Sequence, residues 1–210
     1  MVADDFIRRR TVDLTMRDGT PIRVRPICPD DKELLVEGMR RLSPESRYRR
    51  FFSPVETLSP TLLRRLTEID YVDHFAWIVL SRENDEVPAP AIAVGRYIRL
   101  ATEPTCAEVA ITVRDDYQAR GLGAMLLEIL GLVAREHDIT EFTAVVLPEN
   151  SPMRHLLSDE GIDLQFDADA GALRGTGPIP VADELHSELG VQFLAALGAP
   201  NRVGSNPDEG

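Results

Sequence analysis

Lysine is nearly missing from this chain of 210 residues: Lys32 is the only one, and the other basic side chains are arginine. A phosphate-binding P-loop needs a lysine directly after its second glycine, and no glycine here has one. The chain has two cysteines, Cys28 and Cys106, far apart and in no metal-ligand or redox spacing. That excludes a disulfide scaffold and zinc ribbons, and makes both thiols reduced core or surface groups in a cytosolic protein. No metal site is expected. No apolar run approaches the length of a membrane span, and the N-terminal stretch has charges but no apolar signal-peptide core. Aromatic residues are 6% of the chain, with a single tryptophan.

Positive charge is also scarce. Acidic residues number 35 against 23 basic, a formal charge of −12 at pH 7. Nonspecific nucleic-acid binding is not expected of such a surface. The imbalance is uneven, because residues 1–50 carry 12 basic and 9 acidic side chains. The acidic remainder serves solubility, and it also suits a basic peptide or amine. Hydrophobic residues make up 43%, enough for a core in one compact domain.

What the chain does have is Gln118-Ala119-Arg120-Gly121-Leu122-Gly123 between an apolar run, Val109 to Val113, and an amphipathic run ending near Asp138. Strand, glycine turn, helix is the predicted order. A helix N-terminus offers free backbone N–H groups and partial positive charge, and glycine lets a phosphate come close. A dinucleotide-binding fingerprint would need a third glycine, where position 126 is Leu.

The rest reads in order. Asp18-Gly19 between alternating segments marks a hairpin. Pro29-Asp30-Asp31 starts a helix with a stripe of Leu34, Leu35, Gly38, Met39 and Leu42. Ser43-Pro44 and Ser59-Pro60 are further helix starts, each with a serine N-cap. In the segment Arg47 to Phe52 the aromatics are expected to pack inward and the arginines to stay solvated. Phe75 to Leu80, Ala91 to Leu100 and Cys106 to Val113 form an antiparallel meander. Phe142 to Leu147 is the next strand, and Asn150-Ser151-Pro152-Met153 opens a short helix. Ile162 to Phe166 and Ala172 to Arg174 pair as a hairpin. Gly175-Thr176-Gly177-Pro178 is expected to break regularity, and Asp183 to Leu197 to form a last helix.

Gln118-x-x-Gly121-x-Gly123 after a strand, with an aromatic at 117, resembles motif A of the GCN5-related N-acetyltransferases (GNAT). The segment from Asn150 through Leu156-Leu157 to Gly161-Ile162 resembles that family's next motif. The strings RLSPESRYRRFF, AEVAITVRDDYQARGLG and NSPM are most similar to the acetyltransferase domain of bacterial protein lysine acetyltransferases. The likeness runs from about Ile22 to Asp167.

That resemblance implies an α/β GNAT fold, a mixed, mostly antiparallel sheet splayed at the acetyl-CoA site and flanked by helices. The domain itself is expected over residues 11–198, with a flexible arm at 1–10 and, from its composition, a disordered tail at 199–210. It implies direct transfer of an acetyl group from acetyl-CoA to a primary amine, with a protein lysine as the expected acceptor. The backbone of Ile111, Thr112 and Val113 would take the pantetheine arm, and the N–H groups of Gln118, Ala119, Arg120, Gly121, Leu122 and Gly123 the pyrophosphate. Glu108 matches the family's general base, the alternative being a solvated strand-end carboxylate. Glu103 and Glu149 fall in turns. Asn150 is either a cofactor contact or a plain N-cap. His74 and His155 are left out as structural. The family often has a tyrosine acid where this chain has Leu157, so the thiolate leaves unassisted, or water or Ser158 serves. The first helices would line the acceptor groove. Two rivals stay open: transfer to a small-molecule amine, and a non-catalytic acyl-CoA-binding regulatory module. No nucleic acid or membrane partner is expected, the expected location is the cytoplasm, and the sequence is silent on oligomeric state.

Overall fold

The computed structural model describes residues 2–83, 88–179 and 185–198. The chain begins with helix α1 (Val2–Arg9), then strands β1 (Val12–Thr15) and β2 (Pro21–Pro26). A 3-10 turn at Pro29–Asp31 leads into α2 (Lys32–Arg41), followed by α3 (Pro44–Phe51) and α4 (Pro60–Thr67). Next come β3 (His74–Ser81), β4 (Ala91–Arg99), β5 (Cys106–Val113), α5 (Leu122–Glu136) and β6 (Glu141–Val146). The described chain closes with α6 (Ser151–Asp159), β7 (Gln165–Asp167), β8 (Ala172–Pro178) and α7 (Glu188–Gly198). The expected tail at 199–210 lies outside the described residues.

Among the described residues the strands form one eight-stranded sheet in the order β1-β2-β3-β4-β5-β6-β8-β7. Every neighbouring pair is antiparallel except β5 and β6, which run parallel because the long helix α5 carries the chain across between them. The mostly antiparallel α/β sheet expected of this sequence is present.

Both faces of the sheet are covered, and β3 shows it by alternation. Phe75, Trp77 and Val79 pack with α5 and α7 residues such as Leu126, Leu130 and Phe193. Ala76, Ile78 and Leu80 pack on the other face with Leu35 and Met39 of α2 and Leu66 of α4. This two-sided burial is why Phe75 to Leu80 reads as an unbroken apolar run. The predicted caps are in place: the Ser43 hydroxyl accepts the Ser46 N–H at 3.1 Å, and that of Ser59 the Leu62 N–H at 3.2 Å. No helix among the described residues is long and apolar enough to cross a membrane.

Two expectations are corrected. Residues 2–9, expected within a flexible arm, form a helix whose Phe6 ring lies 5.0 Å from that of Tyr71, beneath the Arg10 guanidinium. The signal is non-local, since nothing in the sequence shows Tyr71 waiting for it. Residues 175–178, expected as a break, continue β8 opposite β6, with Gly175 facing Ala144 and Gly177 facing Phe142. The glycines belong there because a Cβ would meet the Asp163 carbonyl oxygen at 2.5 Å from Gly175, and that of Gly161 at 2.7 Å from Gly177. They admit a passing backbone and do not interrupt the strand.

Candidate active site where two strands part

β5 and β6 are paired only at Cys106–Glu141, Ala107–Phe142 and Glu108–Thr143. β4 stays paired to β5 through Val113. From Val109 to Val113, then, β5 has a neighbour on one edge and no ladder on the other. A cleft of about 490 Å³ opens there, walled by β5, β6, α3, α6 and the turn into α5.

That turn is built for open N–H groups. A 3-10 turn at Asp115–Tyr117 buries the Tyr117 ring, whose hydroxyl bonds the Glu83 carboxylate and the Ser81 hydroxyl. The Gln118 side chain donates to the Val113 carbonyl at 3.1 Å and closes the loop. Ala119 then takes φ 57° and Gly121 φ 84°. Left-handed residues alternating with ordinary ones turn successive N–H groups toward one point. For Gly121 this conformation is free, whereas for Ala119 it is strained. Gln118 spends its own N–H on the Asp115 carbonyl at 3.4 Å, so it is not part of the cradle as expected. Among the described residues the N–H groups of Ala119 to Ala124 have no partner, and the first bond of α5 runs from Met125 to Gly121 at 3.1 Å. The positive end of a 15-residue helix faces the same space.

Asp115 ties this turn to α3, a link the sequence did not reveal. Its carboxylate accepts the Ser43 N–H at 2.9 Å and the Ser43 and Ser46 hydroxyls at 2.8 and 2.7 Å. Burial pushes the Asp115 carboxyl up, but those bonds outweigh it and hold the group below its ordinary value.

Glu108, Ile111, Thr112, Val113, Gln118, Ala119, Gly121, Leu122, Gly123 and Asn150 all line the cleft. Arg120 does not. Its guanidinium pairs with Asp18 at 3.1 Å and lies 4.9 Å from the Tyr117 ring centre, bracing the turn against the β1–β2 hairpin. The Glu108 side chain is exposed and, among the described residues, makes no hydrogen bond or ion pair. Asn150 caps α6 by accepting the Met153 N–H at 3.4 Å. Leu157 is 1% exposed and presents an apolar wall. Glu103, Glu149 and Ser158 do not line the cleft, whereas His155 does.

The α3 side of the wall lies where the resemblance placed the first helices, but the sequence singled out none of the side chains that face the cleft there, Ser46, Arg49, Arg50 and Phe52. The expected pattern for this helix is largely reversed. Tyr48 and Phe52 are exposed, and Arg50 is half-buried. Six consecutive basic and aromatic residues give no periodicity that would assign the faces.

The architecture and the chain itself match known acetyltransferases. Residues 42–160 match the model of the acetyltransferase (GNAT) family. "Acetyltransferase Pat" of Mycolicibacterium smegmatis is 37% identical over 150 residues, 71% of this chain and 44% of the relative. "Acetyltransferase PA5475" of Pseudomonas aeruginosa is 34% identical over 155 residues, 74% of this chain and 82% of that protein. The crystal structure of the GNAT domain of S. lividans PAT superposes with a TM-score of 0.72 at 36% identity, covering 81% of this chain and 97% of that one. The chain thus spans less than half the length of the Mycolicibacterium relative and nearly all of the S. lividans domain. The sequence likeness, the parted strands and the open turn agree: this chain belongs to the GNAT family of acetyltransferases.

Proposed function

We propose that the chain transfers an acetyl group directly from acetyl-CoA to a primary amine, and that the amine is a protein lysine. The observation that carries this reading is the row of unpartnered N–H groups from Ala119 to Ala124, opening on the same cleft as the unpaired edge of β5 and the Glu108 carboxylate. These residues fit coenzyme A: the turn and the start of α5 suit its pyrophosphate, and the free edge at Ile111 to Val113 suits its amide-rich pantetheine arm. When bound, acetyl-CoA supplies an acyl carbon whose thiolate can leave without a strong acid, since thiols ionise near pH 8.5.

In this reading Glu108 removes the proton that a lysine ammonium carries at neutral pH, directly or through a water. The cleft holds amine and acyl group together, which lowers the entropic part of the barrier. Leu157 offers no proton, so water is left to protonate the thiolate. Likeness to two bacterial proteins named Pat supports the lysine acceptor, as does a cleft 490 Å³ in volume with one side open to solvent.

The buried, apolar Leu157 favours a second reading, an acyl-CoA-binding module without turnover. Thiol release from acetyl-CoA separates the two when measured with lysine peptides, with small amines and with no amine. Turnover of peptides, lost in Glu108→Gln while calorimetry shows acetyl-CoA still bound, is the expected result. Tight binding without turnover of any amine would make the chain a sensor.

A further inference from the structure

Among the described residues no carboxylate is bound to either of two guanidinium groups, Arg50 at the α3 wall of the cleft and Arg96 in the small pocket that adjoins it. Arg50, in the last turn of α3, lines both the main cleft and an adjoining apolar pocket of about 70 Å³ beneath α2. Among the described residues its guanidinium makes no hydrogen bond or ion pair, and its Cζ lies 5.0 Å from the centre of the Phe51 ring. Arg96, on β4, lines the same small pocket and is 4% exposed. It donates to the Leu66 carbonyl at 3.2 Å and to Nε2 of His74 at 2.9 Å. The carbonyl end of α4 offsets part of the Arg96 charge. Arg50 has the end of its own helix α3 nearby but, among the described residues, no carbonyl oxygen that accepts from its guanidinium.

The two cations act on each other. Burial and then the charge of Arg50 pull Arg96 down to about 9. Burial lowers Arg50 too, and the Glu108 carboxylate is the one charge that opposes this. Burying cations without an anion is unfavourable, and structures retain the arrangement where an anion arrives from outside. Arg49, also on the cleft wall, keeps a buried Nε–H with no acceptor.

A lysine ammonium approaching Glu108 meets the unpaired Arg50 at the same wall, whereas the charge of Arg49 is answered by Glu45 at 2.5 Å. A carboxylate travelling with the lysine would cancel that repulsion and pair with the guanidinium fork through two hydrogen bonds. We propose that Arg50, backed by Arg96, recognises a carboxylate beside the acceptor amine, so that the preferred acceptor is a peptide lysine with a glutamate next to it. This rests on the lysine reading above. The apolar walls of the small pocket, among them Leu34, Met39 and Leu42, suit the methylene stem of that glutamate and strengthen its ion pair by excluding water.

The test uses three peptides differing at one position beside the lysine: glutamate, alanine or arginine. With the wild-type chain, kcat/KM from thiol release is expected to be about tenfold higher for the glutamate peptide than for the alanine peptide, and lowest for the arginine peptide. The difference should lie in KM. In Arg50→Gln the glutamate-to-alanine ratio is expected to fall to about twofold or less, whereas Arg50→Lys, which keeps the charge and loses the fork, retains an intermediate ratio. Because each ratio is taken within one variant, partial unfolding cannot imitate the effect. Equal rates for the three peptides, or the same ratio in Arg50→Gln as in wild type, overturn this inference alone. Turnover of a polyamine but of none of the peptides, or turnover of no amine, overturns the lysine reading and this inference together.

Discussion

Glu108 and Thr143 form the last rung of the parallel ladder between β5 and β6, and the strands part directly beyond them. The carboxylate therefore stands where the paired sheet becomes a cleft. Before Glu108 the two strands are held by ladder hydrogen bonds, and beyond it β5 has the free edge that suits a pantetheine arm. Its position and its lack of side-chain partners among the described residues are what favour Glu108 for the proposed role of base.

Replacing Glu108 by Gln is expected to lower kcat/KM for a lysine peptide about 100- to 1000-fold at pH 7, the range of general-base contributions. Acetyl-CoA affinity should hold, because the phosphate cradle lies at the far end of β5. The deficit should shrink as pH rises toward the lysine pKa near 10.4, where the amine loses its proton unaided. Thiol release between pH 7 and 10, with calorimetry for binding, measures both. A variant with wild-type turnover at pH 7 rules Glu108 out.

The cradle depends on Gly121 at φ 84°. A Cβ there would find ordinary contact, 3.8 Å from a Leu189 methyl, so crowding is not the difficulty. Conformation is. Gly121→Ala is expected to cost about 1 kcal/mol of stability through the left-handed backbone, and to raise KM for acetyl-CoA about tenfold as the N–H groups lose their aim. Thermal melts and initial rates at varied acetyl-CoA check the two effects separately. An unchanged KM would mean that these amides do not hold the donor.

Elements with local signals were legible in the sequence. Ser43-Pro44 and Ser59-Pro60 carry their own cap chemistry, and Asp18-Gly19 forces a hairpin whatever surrounds it. The strand, glycine turn and helix around Gly121 were legible for the same reason, since their glycine spacing is a property of one short stretch. What the sequence hid depends on partners distant in the chain. Asp115 anchors α3 across 72 residues, Phe6 packs on Tyr71, and Gly175 and Gly177 make room for the Gly161–Asp163 backbone. Arg50 turns inward because α3 is pinned at Ser43 and Ser46, and no periodicity within RYRRFF announces that rotation.

His74 couples the Arg96 network to pH. Burial, then the charge of Arg96, pull its imidazole from 6.5 to about 4. The folded state thus keeps His74 neutral, with Nε2 free to accept from Arg96, while the unfolded chain takes up a proton near 6.5. The associated stability is complete above about pH 6.5 and is lost progressively as pH falls toward 4. Discounted for an imidazole only half-buried, it is about 2 kcal/mol. His74→Gln keeps an acceptor for Arg96 but cannot titrate, so its melting temperature should fall less between pH 6.5 and 4 than that of wild type. Parallel pH profiles for the two proteins would refute the coupling.

Gly177→Ala is expected to destabilise the fold by about 1–3 kcal/mol, because the new methyl meets the Gly161 carbonyl oxygen at 2.7 Å and backbone must move on both sides. Urea unfolding measures it, and a change below about 0.5 kcal/mol would show that β8 and the 160s segment separate freely.

Glu128 lies in the middle of α5 with its side chain wholly buried, yet it serves the start of another helix. Its carboxylate accepts the N–H groups of His186 and Ser187 at 2.9 and 2.8 Å, along with the Ser187 hydroxyl. That hydroxyl in turn accepts the Gly190 N–H at 3.0 Å. A carboxylate here complements the positive end of α7 and satisfies donors that the helix itself leaves without partners. The His186 ring bridges it to Glu160, 3.2 Å away, and burial raises the Glu160 carboxyl, an effect His186 opposes and the Glu128 charge reinforces. Glu128→Ala strips three donors of their acceptor at once and is expected to cost about 2–4 kcal/mol. The loss should fall first on the docking of α7, whose Phe193 ring meets Trp77 at 5.2 Å. Trp77 is the only tryptophan in the chain, so its fluorescence reports that contact without interference. A shifted native-state spectrum together with a lower melting temperature is the expected pair of results. A lower melting temperature with an unchanged spectrum would mean that α7 stays docked by its apolar face alone, and that Glu128 supports α5 instead.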